Sequence, residues 1–431
     1  AILWDNLERN PDKVAVTGPA GSLTYAQLVA ATAQWGNAFL QFGLRRGDRI
    51  PFLLDDTPVY PAAYFGAVRA GLVPVLLNTQ TNAETLAYFL ADTEARLVLC
   101  EADLRGAFPE DIVAASGVEK IVIVNGGSEA SGQIRAEKFL RGMPTDLECA
   151  DTSAGDMAFW MYSSGTTGRP KGIVHLHHDM AYTQHSYGRH VIGVRTEDVC
   201  LSIPKIFFAY GFGNSLTFPF SVGGTTVLLP GRPKPAAIFE AISTWQPTIF
   251  FGLPTLYTAL CNAPEAANSN LSSIRLSISA AETLSRDIYE SWKAIAGHGP
   301  TEGLGSTEML HIYLSNTPDD HRIGAAGAPV PGYDISLERP DGSEAPPGEE
   351  GVMLVRGDSS TPCYWRRPDK TAETMRGGWI YTGDRFVERD GYFYFQGRAD
   401  DLVKVSGQWV WPLEIERCLN EHEDVKECAV L

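Results

Sequence analysis

The sequence predicts an α/β protein with a large N-terminal domain of parallel-rich sheets flanked by helices, a small antiparallel β unit, and a truncated small α+β C-terminal domain. As far as about residue 324, apolar strand-like runs alternate with helical patterns of roughly 10–15 residues, which is typical of parallel sheets covered on both faces. Beyond that point, turn-rich segments carry short strands of alternating polarity. A charged joint at 397–404 then introduces what we interpret as a further lobe.

The first part of the chain supplies the alternating elements. Helical apolar spacing covers 23–43, where it ends at a glycine, and it recurs at 62–71 and 85–93. Strands are predicted for the short apolar runs at 49–54, 73–77, 96–100, 121–124, 157–162, 172–176, 224–229, 247–254 and 274–280. In sheets of this kind ligands bind at the carboxyl ends of the strands, so the motifs near those ends are the first candidates for a site.

The antiparallel unit is predicted from four short strands: DISLE, GVMLVRG, WIYTGD and YFYFQG. We therefore expect a large domain at 1–398, with the antiparallel subdomain at about 324–396. A hinge is expected at 399–401, and the start of the truncated C-terminal domain at 402–431. The chain opens without a methionine and stops inside an apolar run, so we expect it to be part of a longer protein.

Composition restricts the class of partner. The net charge is −17, from 52 acidic and 35 basic residues, which argues against nucleic acid and anionic membrane surfaces as partners. Seven cysteines without CxxC spacing indicate reduced thiols and a cytoplasmic protein. No apolar stretch reaches the roughly 18 residues of a membrane span. Small molecules are the expected ligands, and a homodimer is left open.

The segment YSSGTTGRPKG at 162–172 is the most informative motif. It holds three glycines, four hydroxyl side chains and two cations within eleven residues. Glycines let the backbone approach a ligand closely, and the exposed N–H groups, the hydroxyls and a lysine suit phosphate oxygens. The spacing differs from that of the Walker A loop. A solvated turn is the alternative interpretation, but the two buried strands predicted on either side favour a polyphosphate site.

Three further motifs follow along the chain. GSTE at 305–308 places Glu308 beside two hydroxyls, and a carboxylate with phosphate oxygens is a typical Mg²⁺ ligand set. YTGD at 381–384 puts Asp384 at the expected end of a strand, where its oxygens could accept the two hydroxyls of a ribose. GRADD at 397–401 supplies Arg398. Each motif alone has an ordinary alternative, namely a turn or a helix N-cap.

Taken together and in this order, these motifs resemble the adenylate-forming superfamily of acyl-CoA synthetases, carrier-protein adenylation domains and firefly luciferases. The match extends to GRADDLVKVSGQWVWPLEIE at 397–416 and covers nearly the whole chain. The resemblance implies ATP, Mg²⁺ and coenzyme A as ligands and an acid–thiol ligase of the AMP-forming type. It also implies a small C-terminal domain that rotates between two half-reactions.

The resemblance also implies roles for individual residues. The pyrophosphate loop would consist of Ser163, Ser164, Gly165, Thr166, Thr167, Gly168 and Lys171. The adenine would be flanked by Ala280, Ala281, Glu282, Glu302 and Gly303, and the ribose bound by Asp384 and Arg398. Thr307 would touch the α-phosphate and Glu308 would hold the metal, so that Lys171, Thr307 and Glu308 carry the catalysis. Asp400 would be the hinge residue, Gly407 would line the route of the CoA thiol, and Lys404 would act at the domain interface during thioester formation.

The chemistry agrees with these implied roles. A carboxylate that attacks an α-phosphate meets a like charge, and two unit charges at about 4 Å repel by about 4 kcal/mol at an effective dielectric of 20. A metal ion, Lys171 and backbone N–H groups would offset that repulsion and stabilise the leaving pyrophosphate.

The acid pocket is predicted from PKIFFAYGFGN at 204–214 and from the residues that surround GSTE. This combination resembles benzoate–CoA ligases in particular, and hydroxybenzoate- and aminobenzoate-activating relatives share much of it. The resemblance implies a short slot for benzoate, with Phe208 as the gate to the thiol, lined by Phe208, Ala209, Tyr210, Gly211, Gly303, Gly305, His311 and Ile312. Ordinary core aromatics are the alternative interpretation.

Other interpretations are left open. The acceptor could be a carrier protein rather than free CoA, or the chain could be a non-catalytic nucleotide-binding protein or a luciferase-type oxygenase. The histidines at 175, 177 and 178 suggest a metal site, but a structural role is favoured. The superfamily's essential C-terminal lysine lies beyond Leu431. We therefore expect the full-length protein to form aroyl-AMP readily and a chain ending at Leu431 to be slower by orders of magnitude.

Overall fold

The computed structural model describes residues 4–127, 129–163 and 169–400, together with 403–405, 408–410, 415–416, 418–419, 422, 425, 428 and 430. Within these residues, no helix combines the length and the apolar character that crossing a bilayer requires.

The helices are short and connect strands. They are α1 (Trp4–Arg9), α2 (Tyr25–Gln41), α3 (Val59–Arg69), α4 (Ala83–Thr93), α5 (Glu110–Ser116), α6 (Ala136–Phe139), α7 (His177–Thr183), α8 (Ala209–Phe212), α9 (Phe218–Val222), α10 (Pro235–Trp245), α11 (Pro254–Cys261), α12 (Arg286–Ala296) and α13 (Pro368–Thr374). Helical turns of the 3₁₀ type lie at Ala102–Ala107 and Pro264–Asn268, and wider π-helical turns lie at Gln184–Ile192 and Gly213–Thr217.

The strands of the first half are β1 (Val14–Thr17), β2 (Leu23–Thr24), β3 (Arg49–Leu53), β4 (Val73–Leu76), β5 (Leu97–Glu101), β6 (Lys120–Val124), β7 (Gln133–Arg135), β8 (Met157–Ser163), β9 (Lys171–Leu176), β10 (Val199–Ser202) and β11 (Thr225–Val227). Those of the second half are β12 (Ile249–Gly252), β13 (Leu276–Ser279), β14 (Thr301–Gly305), β15 (Ile312–Ser315), β16 (Ala328–Pro329), β17 (Asp334–Glu338), β18 (Glu350–Arg356), β19 (Met375–Arg376), β20 (Trp379–Arg389), β21 (Tyr392–Arg398), β22 (Val403–Val405) and β23 (Gln408–Val410).

A seven-stranded sheet has the order β7-β6-β5-β3-β4-β8-β9. Its neighbours run parallel except for the edge pair β8–β9, which is an antiparallel hairpin. Every residue of β4 and β5 is buried. Such continuous apolar runs are what a parallel sheet covered on both faces requires.

A nine-stranded sheet has the order β16-β15-β14-β13-β12-β10-β11-β1-β2. The strands from β14 through β1 run parallel, and the strands at both edges are antiparallel. The carboxyl end of β14 is Gly305, which begins the GSTE motif. The antiparallel return of β15 therefore brings the residues after GSTE back beside those before it.

The third sheet is antiparallel and spans residues 334–398, with β18 between β17 and β20, and with β19 and β21 both paired to β20. The predicted α/β class with parallel-rich sheets and a small antiparallel unit is therefore confirmed. One detail was wrong: Asp384 does not end a strand but lies inside β20, because Gly383 adopts a φ of 75° that lets the strand continue through a turn of its backbone.

The segment after the third sheet is described only in part. Val403–Val405 and Gln408–Val410 pair as two antiparallel strands. Asp400 is described, whereas Gly407 lies outside the described residues. The division into a domain at 1–398, a hinge at 399–401 and a second domain at 402–431 stays a prediction.

Candidate active site

The predicted phosphate loop connects β8 to β9. Ser163 and Lys171 face each other as the last pair of this hairpin, so the loop leaves and re-enters the sheet at a single point. Ser164, Gly165, Thr166, Thr167 and Gly168 lie outside the described residues. Their role as a phosphate cradle stays a prediction.

Lys171 and Glu308 meet at the ring of Tyr364. The phenol of Tyr364 donates a hydrogen bond to Oε1 of Glu308 at 2.7 Å. The ammonium of Lys171 lies 4.1 Å from the centroid of the same ring, within cation–π distance. Burial lowers the pKa of Lys171, and the nearby carboxylate of Glu308 opposes that change. The structure thus brings Lys171 of the YSSGTTGRPKG motif close to Glu308 of the GSTE motif.

The segment that carries Tyr364 also fixes the backbone of GSTE. It runs along the free edge of β9, where the N–H of Trp365 donates to the carbonyl of Gly172 at 2.7 Å. The N–H of Thr361 donates to the carbonyl of Glu308 at 2.7 Å. Residues on either side of Tyr364 are therefore hydrogen-bonded to β9 and to the GSTE loop, and these bonds fix the position of Tyr364 between the two.

The histidines after Lys171 have different environments. His175 lies in β9, is buried, and is hydrogen-bonded to Asp179 and to the carbonyl of Thr307. His177 begins α7, so the two histidines do not share a strand face.

Asp384 and Arg398 are directly opposite each other on β20 and β21. The guanidinium donates to Oδ1 of Asp384 at 3.1 Å and to Oδ1 of Asp400 at 2.9 Å. Burial raises the pKa of Asp384, Arg398 counteracts this, and the charges of Asp400 and Glu308 add to the increase. The predicted ribose ligands therefore lie together and within electrostatic reach of the predicted metal ligand.

Of the residues predicted to flank adenine, Ala280, Ala281 and Glu282 follow β13, and Glu302 and Gly303 lie within β14. Ala281 has a φ of 73°, an unusual conformation for a residue other than glycine and one that recurs at functional sites. Glu282 is exposed, and its carboxylate accepts the N–H of Thr255 at 3.3 Å. Glu302 is buried and accepts the N–H of Leu284 at 3.0 Å, and burial raises the pKa of Glu302 to about 8.

A cavity of about 1120 Å³ adjoins these residues. Among the predicted site residues it is lined by Phe208, Ala209, Tyr210, Ala280, Ala281, Gly305, Thr307, His311 and Ile312. It therefore connects residues assigned to the acid, to the adenine and to the α-phosphate. Its wall is mostly apolar, which suits an aromatic ring.

Two predicted lining residues, Gly211 and Gly303, do not line this cavity. A Cβ on Gly211 would lie 2.1 Å from the carbonyl oxygen of Lys205, so this glycine lets α8 start against the preceding loop. A Cβ on Gly303 would lie 3.0 Å from the side chain of Ile312, which packs across β14 and β15. The structure gives both glycines a packing reason, and their contact with the acid stays a prediction.

Two side chains of the described wall, His311 and Tyr210, are hydrogen-bonded to backbone carbonyls. Nε2 of His311 donates to the carbonyl of Tyr210 at 3.2 Å, and burial lowers the pKa of His311 to about 3, so the ring is neutral near pH 7. The hydroxyl of Tyr210 donates to the carbonyl of Ile278 at 3.3 Å. Phe208 is different, because half of its surface is exposed at the cavity.

Sequence reasoning missed Tyr364 and Lys205. The ammonium of Lys205, which lines the cavity, lies 3.3 Å from Oδ1 of Asp55 and 3.8 Å from Oδ2 of Asp56. Burial raises the pKa of Asp56 to about 6, and Lys205 counteracts part of that change. The lysine lies inside the PKIFF motif and could have been singled out. Tyr364 belongs to no motif or periodic pattern in the sequence. Its place in the site is seen only from its contacts with Lys171 and Glu308.

The remaining predicted residues belong to the C-terminal part. Lys404 lies in β22, and Gly407 lies outside the described residues. Their roles in the second half-reaction stay predictions. Asp400 contacts Arg398, so the predicted hinge residue is hydrogen-bonded to a predicted ribose ligand.

Comparisons with known proteins find similarity over nearly the whole chain. The sequence profile of a family described as AMP-binding enzyme matches residues 3–365. A benzoate–CoA ligase from Thauera aromatica is 39% identical over 422 residues, which are 97% of this chain and 79% of that protein. The crystal structure of an anthranilate CoA ligase in complex with anthranoyl-AMP superimposes with a TM-score of 0.95 at 36% identity, over 100% of this chain and 83% of that one. A benzoate CoA ligase from Burkholderia xenovorans LB400 gives a TM-score of 0.90 at 35% identity, over 100% of this chain and 85% of that one.

Proposed function

The chain belongs to the AMP-binding enzyme family, and from that membership we propose that it is an AMP-forming aryl acid–CoA ligase whose preferred acid is benzoate. It uses ATP to convert the acid to aroyl-AMP with release of pyrophosphate, and then transfers the aroyl group to the thiol of coenzyme A.

In the first half-reaction, a carboxylate oxygen forms a bond to the α-phosphorus while the bond from that phosphorus to the β-phosphate oxygen breaks. The acid occupies the apolar cavity beside Ala209 and Tyr210, and the cavity reaches Thr307. Lys171 offsets charge on the departing pyrophosphate, and its half-buried position strengthens that interaction relative to open water.

The residues present fit a bound Mg²⁺. Glu308 is a half-buried carboxylate with one oxygen hydrogen-bonded to Tyr364, and a hard oxygen ligand of this kind suits the ion. Glu308 and the phosphate oxygens would hold Mg²⁺, which when bound offsets the negative charge of the triphosphate.

In the second half-reaction, a thiol attacks the acyl carbon of the mixed anhydride. A carbon–sulfur bond forms, the bond to the phosphate oxygen breaks, and AMP leaves. We place the approach of the thiol beside Phe208, because this side chain is half-exposed at the cavity whereas its neighbour Phe207 is buried. Gly407 and Lys404 would act at this step.

The observation that carries the proposal is the contact of Lys171 and Glu308 with the ring of Tyr364, beside a mostly apolar cavity that Thr307 lines. Because Lys171 and Glu308 both contact Tyr364, the two charged groups are close enough to bind one triphosphate. An acid bound in the cavity would lie near the α-phosphate, because Thr307 lines the cavity.

A pyrophosphate-release assay on the full-length protein tests the proposal. The substrates are benzoate, its hydroxy and amino derivatives, and a medium-chain fatty acid. We expect benzoate to give the highest kcat/KM and the fatty acid to give none above background. A preference for the fatty acid, or no release with any aromatic acid, would refute the proposal.

An aminobenzoate is the second candidate. The solved anthranilate CoA ligase has the higher TM-score of the two solved ligases compared, and small residues such as Ala209 and Gly305 leave room for a ring substituent. The same assay decides between the two, because the order of kcat/KM for benzoate and anthranilate ranks them.

The acceptor needs a separate test. With CoA as the sole thiol, conversion of the aroyl-AMP to a thioester supports the ligase. Accumulation of aroyl-AMP that only a carrier protein discharges would support the carrier-loading alternative. Light emission or oxygen consumption would support an oxygenase. If mass spectrometry detects no aroyl-AMP, the result would support a non-catalytic nucleotide-binding protein.

A further inference from the structure

His175 and Asp179 form a fully buried pair directly behind the GSTE motif. Neither side chain has exposed surface. Nδ1 of His175 lies 2.8 Å from Oδ2 of Asp179, and its Nε2 lies 2.8 Å from the carbonyl oxygen of Thr307. The same Oδ2 accepts the N–H of Leu176 at 3.0 Å. The pair therefore connects β9 and the start of α7 to the residue that precedes Glu308.

The partners fix the protons of the imidazole. A carbonyl oxygen can only accept, so Nε2 carries a proton that it donates to Thr307. The contact between Nδ1 and the carboxylate requires one more proton between these two atoms. Asp179 thus holds the ring in the orientation in which Nε2 points at the loop.

His175 lies on the same face of β9 as Lys171. The two residues are four positions apart in one strand, and side chains alternate between faces with a period of two. One strand face therefore presents a cation toward Tyr364 and Glu308 and a hydrogen-bond donor toward the carbonyl of Thr307.

The backbone at the end of GSTE and just after it is held at three successive carbonyl groups, those of Thr307, Glu308 and Met309. His175 binds that of Thr307, the N–H of Thr361 binds that of Glu308, and the hydroxyl of Ser359 binds that of Met309 at 2.8 Å. The next residue has a φ of 65°, so the loop turns sharply where these bonds end. The carbonyl of Thr307 also accepts the N–H of Leu310 at 3.0 Å, a bond within the loop itself. His175 adds a donor from β9, outside the loop, to the residue predicted to touch the α-phosphate.

We propose that His175, oriented by Asp179, is a positioning residue that holds Thr307 in place for the attack on the α-phosphate. The inference rests on the proposed function. It adds a residue that touches neither substrate and acts through the backbone of Thr307.

The expected effect is on turnover rather than on binding. The cavity and Lys171 bind the ground state, and His175 contacts neither ligand. Displacing Thr307 by about 1 Å would disturb the geometry in which the α-phosphate is attacked, which costs up to roughly 100-fold in rate. The values of KM for ATP and for the acid should change little.

Two amide replacements provide the matched test. In His175→Gln the amide nitrogen reaches the place of Nε2 and can donate to Thr307, whereas in His175→Asn it reaches only the place of Nδ1. Pyrophosphate release by the full-length protein is measured with each variant at varied ATP and benzoate. We expect kcat to fall about 10–100-fold in His175→Asn and in His175→Ala, and to recover to within about fivefold of the parent in His175→Gln.

Asp179 supplies a second pair of variants. In Asp179→Asn the amide nitrogen can donate to Nδ1 but no longer accepts the N–H of Leu176, so kcat should fall less than in Asp179→Ala. Asp179→Ala frees the ring and should lower kcat as His175→Asn does. These variants decide the question if the histidine variants fail to fold. His298→Gln is the control, because this half-buried histidine bonds to Ser277 rather than to the loop and its replacement should leave kcat unchanged.

Equal kcat in His175→Asn and His175→Gln, in folded proteins with matching thermal unfolding, would overturn the inference. A change confined to KM would also overturn it. If the unmodified protein releases no pyrophosphate with any aromatic acid, the proposed function fails instead, and the two failures are thus distinguishable.

Discussion

Tyr364 joins two charged groups that the sequence places 137 positions apart, at Lys171 and Glu308. Its hydroxyl orients the carboxylate, and its ring supports the ammonium. The two contacts use different parts of one side chain, so they can be separated by mutation.

We expect Tyr364→Phe to keep the contact with Lys171 and lose the hydrogen bond to Glu308. A hydrogen bond to a charged group is worth about 1.5–3 kcal/mol, so the rate of pyrophosphate release should fall roughly tenfold or more. The loss should be greatest at low Mg²⁺, because the carboxylate is no longer held in place. Steady-state rates across a Mg²⁺ titration give the measurement, and a Tyr364→Phe curve that overlaps the parent's would contradict the prediction.

Glu302 predicts a dependence of stability on pH. Burial raises its pKa from 4.5 to about 8, so the folded protein keeps a proton that the unfolded chain has released. This stability contribution is complete below the unfolded pKa and is lost as the pH rises toward the folded one. Glu302→Gln cannot titrate and keeps an acceptor for the N–H of Leu284.

Relative to Glu302→Gln, the parent's free energy of unfolding should therefore fall by about 2–3 kcal/mol between about pH 6 and about pH 8. Urea unfolding at both pH values measures it. A difference between the two proteins that does not change with pH would show that the carboxyl group is ionised throughout.

Ala209 tests the acid pocket. It begins α8, is buried and lines the cavity, so an indole at this position would occupy the space of the aromatic acid. We expect Ala209→Trp to abolish benzoate turnover and to leave ATP affinity intact. Turnover and ATP binding are measured on the same preparation. Unchanged benzoate turnover would remove Ala209 from the pocket.

At the scale of elements, α8 depends on a close approach between two backbones. A Cβ on Gly211 would lie 2.1 Å from the carbonyl oxygen of Lys205 and 2.4 Å from that of Pro204. Gly211→Ala must therefore shift α8 or the loop before it, at a cost of about 1–3 kcal/mol. Because Ala209 and Tyr210 begin the same helix, KM for the acid should rise as well.

Thermal unfolding and benzoate kinetics measure these two effects. Gly106→Ala is the matched control, because its Cβ would meet no atom within 4 Å and its φ is not positive. Equal behaviour of the two variants would mean that the backbone at 204–205 yields without affecting the pocket.

The sequence predicted the positions of helices and strands better than it predicted which strands pair and in which direction. Periodicity and caps located α2 closely, and its Thr24–Gln27 capping box is present in the structure. The antiparallel β8–β9 hairpin inside a parallel sheet was not predicted, because alternating helices and strands carry no information about one strand pair that lacks a helix between its members.

The same limit applies to the candidate site. GSTE, Asp384 and Lys171 could be predicted because their residue types and order resemble those of a family. The roles of Tyr364 and His175 could not be predicted, because they come from contacts over long sequence separations. Lys205 lies in a motif that the sequence did single out, but its ion pairs with Asp55 and Asp56 are set by the fold. Local patterns contain no signal for such contacts.

At the scale of the whole molecule, the site draws on all three large sheets. Lys171 comes from the seven-stranded sheet, Glu308 follows β14 of the nine-stranded sheet, and Asp384 belongs to the antiparallel sheet. A nucleotide bound by all three would therefore resist their separation.

We expect ATP with Mg²⁺ to raise the free energy of unfolding by about 2.7 kcal/mol when its concentration is about 100 times its Kd. Removal of the metal by a chelator should abolish most of that gain, and Glu308→Gln should reduce it in the same way. Thermal unfolding with and without each component provides the measurement. A gain that persists without the metal would remove Glu308 from its proposed role.

The face shared by Lys171 and His175 limits how this region can be re-engineered. Because side chains alternate along β9, inserting or deleting a single residue between the two would turn one of them away from the site. Transplanting the glycine-rich turn from another enzyme should therefore succeed only if the splice point lies before Lys171. A substitution in β9 changes one side chain, whereas an insertion or deletion changes the face of every residue beyond it.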